Sequence, residues 1–133
     1  MKEVRILSID DRGRIVIPKL IRKSLGLQTN SQLMLIADSE TKEIKISPVG
    51  LTGESFKFRI TMFDQAGALG KIATTFGKHG ISLVYGESTV IEKNKTALWT
   101  VIGPKPKEID PEELIKILKD EGDALDVEII PLE

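Results

Sequence analysis

Two periodicities divide this chain. From Phe56 to Met62 the residues alternate, with Phe56, Phe58, Ile60 and Met62 on one side and Lys57, Arg59 and Thr61 on the other. A period of two predicts a strand with one wet face. After the turn Phe63-Asp64-Gln65-Ala66-Gly67 the period changes. Leu69, Ile72, Ala73 and Phe76 fall at i, i+3, i+4 and i+7, which predicts a helix from about Ala68 to His79, ended by Gly80. Strands are predicted at about Ile81 to Ile91 and Thr96 to Ile102, around the turn Glu92 to Lys95. Asp110, Pro111 and Glu113 supply an N-cap, a first-turn proline and a capping-box glutamate for a second helix. Leu114, Ile115, Ile117 and Leu118 give it an apolar side, and Gly122 is read as its stop. Leu125, Val127 and Ile129 then alternate with Asp126 and Glu128. The order β-α-β-β-α-β is the ferredoxin-like arrangement, with both helices on one sheet face.

The first half is patterned in shorter pieces. Val4 to Ile9 reads as a strand, and Asp10-Asp11-Arg12-Gly13-Arg14 as a turn in which Gly13 takes a positive φ. Ile15, Val16 and Ile17 read as a short buried strand. Pro18 suits the first position of a helix that Gly26 stops, with Ile21 and Leu25 as its core-facing stripe. Strands from Leu33 to Ala37 and Glu43 to Ser47 follow. Lys19, Arg22 and Lys23 share one helix face at i, i+3 and i+4, next to the cations of the turn. Such a cluster suits a polyanion, although a charged turn and a solvated helix face are also ordinary surface.

The join is read at 49–55, where one finds two glycines and no periodicity, so residues 1–48 and 56–133 are the expected domains of an α+β chain. Forty-eight residues are few for an independent core, and oligomerisation commonly supplies the missing burial at that size. The formal charge of −1 averages two unlike parts. Residues 1–37 carry seven Lys/Arg against three acids, or +4; residues 51–133 carry ten against fourteen, or −4. Screening over about 8 Å makes the local value the relevant one. A chain 41% hydrophobic and 29% charged is globular, without an apolar run of spanning length or a signal-peptide pattern. Zero cysteines exclude disulfides and thiolate metal sites, and a cytoplasmic location with no membrane association is expected.

The run GRIVIPKLIRKSLG, with its flanking strands, resembles the AbrB/MazE/SpoVT swapped-hairpin family of DNA-binding domains over about residues 3 to 48. The resemblance implies two chains interlocked into one dimeric β-barrel that grips double-stranded DNA. Arg14 matches the family's Gly-Arg position, and Arg22 and Lys23 its paired basic residues in the helix. Arg12 and Lys19 stand where members vary, yet add charge on the same side. Leu7 and Ser8 stand where some members carry basic residues, a place that Arg5 partly fills.

Residues 56 to 131 resemble the ACT domain, a regulatory module that often binds amino acids at subunit interfaces. The carriers are Asp64-Gln65-Ala66-Gly67-Ala68-Leu69, Ile72, Phe76 and His79-Gly80-Ile81-Ser82-Leu83. Ala66 replaces the usual proline and Ser82 the usual asparagine. The resemblance implies an effector held near Asp64, Gly67, Ala68 and Leu69, with Ile81 and Ser82 close by. A glycine lets a ligand approach the backbone, and free amides at a helix start receive a carboxylate. Turn chemistry accounts for Asp64 and Gly67 equally well, so dimerisation without a ligand stays open.

His79, the single histidine, is read as complementing a helix dipole, and Trp99 and Tyr85 as sheet packing residues. Gly67 to Lys71 lacks the spacing of a phosphate loop. No catalytic set, metal site or cofactor is expected. The sequence reading is a dimeric or larger DNA-binding transcriptional regulator with an amino-acid-responsive ACT domain. The alternatives are a regulatory subunit of a biosynthetic enzyme and an antitoxin-like DNA-binding protein whose ACT domain only oligomerises.

Overall fold

The computed structural model describes residues 2–50 and 53–132, so Leu51 and Thr52 of the expected linker lie outside the described residues. The chain divides into two compact units, Met1–Val49 and Gly50–Glu133.

In the second unit the alternation at 56–62 lies in β3 (Ser55–Phe63), the centre of a four-stranded antiparallel sheet. Its order is β4 (Tyr85–Glu92), β5 (Thr96–Pro104), β3, β6 (Asp126–Pro131). Register pairs Phe58 with Val101 and Ile129, and Ile60 with Trp99 and Val127, so these residues share the helix-facing side. Helix α2 (Ala68–Lys78) and helix α3 (Pro111–Asp120) supply Ile72, Phe76, Leu114 and Leu118 to the same core. Phe58 meets Phe76 edge-on at 5.3 Å, and Phe76 meets Trp99 at 6.2 Å. Asp110 caps α3 by accepting the Glu113 amide at 2.8 Å, ahead of Pro111.

Three local expectations are corrected. The buried stripe of α2 is Ile72, Thr75 and Phe76, whereas Leu69 and Ala73 are exposed. Thr75 tolerates burial because its hydroxyl donates to the Lys71 carbonyl at 2.8 Å. Residues 81–84 form no strand; only the Val84 amide reaches β5, at the Ile102 carbonyl. At the end of α3 the left-handed residue is Asp123 (φ 59°), not Gly122. Gly122 is required for another reason, since a Cβ there would lie 2.7 Å from the Leu118 carbonyl oxygen.

The first unit contains helix α1 (Lys19–Ser24) and the hairpin of β1 (Leu33–Asp38) with β2 (Glu43–Pro48). Pro18 is the N-cap, one residue before its expected place, and Gly26 (φ 69°) ends the helix as expected. The expected strands at Val4 to Ile9 and Ile15 to Ile17 are not strands in one chain. Among the described residues neither segment has a backbone hydrogen-bond partner, and a ladder needs one. Val16 is 77% exposed and Ile6 99%, so the expected burial is absent too. Leu25, half of the expected core stripe of α1, is also exposed, and no residue of α1 is buried. The closed barrel therefore does not form within a single chain.

Candidate functional site

A groove lies where α2 begins. It is lined by Met62, Phe63, Asp64, Gln65 and Leu69 on one side and by Ser88, Thr89, Val90 and Ala97 on the other, and encloses about 180 Å³. Gly67 is the N-cap of α2, in a left-handed conformation (φ 87°), with no side-chain cap. The Ala68 amide donates to the Gln65 carbonyl and the Lys71 amide to the Gly67 carbonyl. Among the described residues the Leu69 and Gly70 amides have no acceptor, so two donors stand open at the positive end of the helix.

Asp64 makes the turn bonds that the sequence reading left open for it, and it also lines the groove. Its Oδ2 accepts the Asn94 amide at 2.7 Å while its own amide donates to the Lys95 carbonyl at 3.1 Å. The carboxylate thus ties the loop before α2 to the turn between β4 and β5. It positions the groove.

The expected effector residues do not come together in one chain. Gly67, Ala68 and Leu69 begin α2, whereas Ile81 and Ser82 follow its end, and eleven helical residues span roughly 16 Å. Ile81 is buried in the core, and Ser82 lies instead near Lys105 and Lys107 in a separate depression. Met62, Gln65, Ser88, Val90 and Ala97 were absent from the sequence-based set. Register alone would have found three of them, since pairing puts Ser88, Val90 and Ala97 on the face that carries Met62.

The basic residues of the first unit are ordered around Asp10. Its Oδ1 accepts the Arg12 and Arg14 amides, each at 2.9 Å, and its Oδ2 accepts the Arg14 Nε–H at 2.8 Å. These bonds, the Arg14 amide first and its guanidinium next, hold the Asp10 carboxyl below its ordinary pKa. The Asp10 amide donates to the Arg14 carbonyl at 3.0 Å, and Gly13 (φ 76°) closes the turn. Arg5 pairs with Glu3 at 3.1 Å. Among the described residues Arg12, Lys19, Arg22 and Lys23 are exposed and make no ion pair.

Elsewhere, His79 contacts Glu121 (Nε2 to Oε2, 2.8 Å) and Lys71 pairs with Asp123, so both fasten α2 to the end of α3. Among the described residues no group of His, Cys, Asp and Glu could hold a metal ion, and no helix is long and apolar enough to cross a membrane.

Comparison with curated proteins finds no match to the chain. The family model described as ACT domain matches residues 58–123, from the middle of β3 to the turn after α3, and includes the groove and both helices that cover the sheet.

Proposed function

We propose that the protein is a non-catalytic, cytoplasmic DNA-binding regulator whose ACT module senses a small effector. The carrying observation is the groove beside the open start of α2, inside the segment that matches the ACT domain. ACT domains are regulatory modules, and a cleft that reaches the start of a helix at Leu69, where amides stand open, suits a carboxylate-bearing ligand. Strand β4 is a sheet edge, which leaves it open to antiparallel pairing with a second copy.

The DNA reading is supported by the unpaired cations Arg12, Lys19, Arg22 and Lys23, joined by Arg14 on its ordered turn. They would neutralise phosphates first and reach base edges second. The first unit also needs a second copy to fold. Val4, Ile6, Ile9, Ile15, Val16, Leu35 and Ile44 are all exposed in one chain, and two extended segments leave their backbone groups free for a partner's ladder. An interlocked dimer covers that surface and gathers two sets of cations.

The test is titration of duplex DNA with wild type and with Arg22→Ala/Lys23→Ala. Loss of retardation by the mutant, with its circular dichroism preserved, supports the reading. Equal retardation by both proteins overturns it.

A further inference from the structure

The groove fixes a size and polarity for its occupant, and the inference that follows rests on the effector reading above. Its floor is one row of the helix-facing sheet surface. Met62 on β3 pairs with Ala97 on β5, and Ala97 pairs with Val90 on β4. The next position of β5 on that face is Trp99, whose ring packs on Phe76. Between Trp99 and Ala97 the side-chain layer falls from an indole to one methyl group, and the groove opens there. Leu69, 39% exposed, borders it from α2, and Val90, 55% exposed, borders it from β4. These apolar atoms lack partners on the groove side, so a ligand that fills it gains their contacts.

The volume limits the ligand. A cavity of about 150 Å³ accepts benzene, so at the same density about 180 Å³ accepts a ligand of about seven non-hydrogen atoms. Alanine and valine bracket that size, and the aromatic amino acids exceed it. Polarity limits it further. No Lys, Arg or His lines the groove, and Asp64 does, so an acidic side chain would meet repulsion without a counter-ion.

We infer that the groove takes a small aliphatic amino acid as a whole molecule, alanine to valine in size, and that Ala97 sets its depth. Ala97→Val puts two methyl groups into the space the ligand would occupy. Val90→Leu narrows it from the rim, away from the buried core.

The experiment is calorimetry on the full-length protein with alanine, valine, phenylalanine and glutamate, followed by the remaining amino acids. Alanine or valine should bind most tightly, with phenylalanine and glutamate weaker by at least about tenfold. Ala97→Val should weaken valine binding by about tenfold or more and leave alanine the preferred ligand. Val90→Leu should shift preference the same way, which keeps the test valid if the core variant folds poorly. Preference for an aromatic or acidic amino acid overturns the size class and leaves effector sensing in place. Unchanged valine binding in both variants overturns the role of Ala97. Binding of no amino acid overturns the effector reading itself.

Discussion

Asp10 shows how one side chain orders a basic turn. Its carboxylate fixes the Arg12 and Arg14 amides, and the same contacts lower its pKa. A group with a depressed folded pKa stabilises above its ordinary value, about 3.9 for aspartate, and that contribution fades as pH falls through the folded pKa. An NMR titration of the Asp10 carboxyl should therefore give a midpoint below the ordinary value, with the Arg12 and Arg14 amide shifts following it. A midpoint at or above that value would contradict the arrangement. Two glycines of the second unit separate backbone strain from crowding. Gly122→Ala places a methyl group against the Leu118 carbonyl and should destabilise by roughly 1–3 kcal/mol in urea unfolding. Gly67→Ala meets no atom within 4 Å but keeps a left-handed φ, so about 1–2 kcal/mol of strain is expected and no blockage of the groove.

Elements carry the next level. No residue of helix α1 is buried, so within one chain its order and that of the turn before it rest on local hydrogen bonds, and under the proposed reading a second copy adds the missing burial. A fragment of residues 1–50 should melt at a temperature that rises with concentration, as a dimer does; a folded, concentration-independent monomer in sedimentation would refute the partner requirement. If each chain contributes about four phosphate contacts, the dimer's log K should fall against log[salt] with a slope of about −7. Where an element completes itself within one chain, its sequence pattern was readable. The alternation at 56–62 and the cap at Asp110 both reported their own geometry. The segments at 4–9 and 15–17 have strand composition without a strand partner, which no local pattern supplies. The α2 stripe was rotated because periodicity counts Thr75 as polar, whereas its hydroxyl is satisfied inside the helix. The effector set spread apart because its two motif pieces stand before and after the expected helix, which leaves Ile81 and Ser82 a helix length from Gly67 within one chain.

At the scale of the molecule the two units differ in charge, with nine Lys/Arg against six Asp/Glu (+3) over residues 1–49 and ten against fourteen (−4) over residues 50–133. An effector changes DNA affinity only by favouring one arrangement of the basic units over another. A coupling of about 1–3 kcal/mol would alter DNA affinity by roughly 5- to 150-fold, and DNA would alter effector affinity by the same factor. The most direct measurement is a titration of duplex DNA into the full-length protein with and without saturating alanine or valine. Regulation through the ACT module predicts a shift in DNA affinity within that range, matched by a reciprocal shift in amino-acid affinity and lost in Ala97→Val for valine. An effector that binds while DNA affinity and oligomeric state both stay unchanged would contradict it.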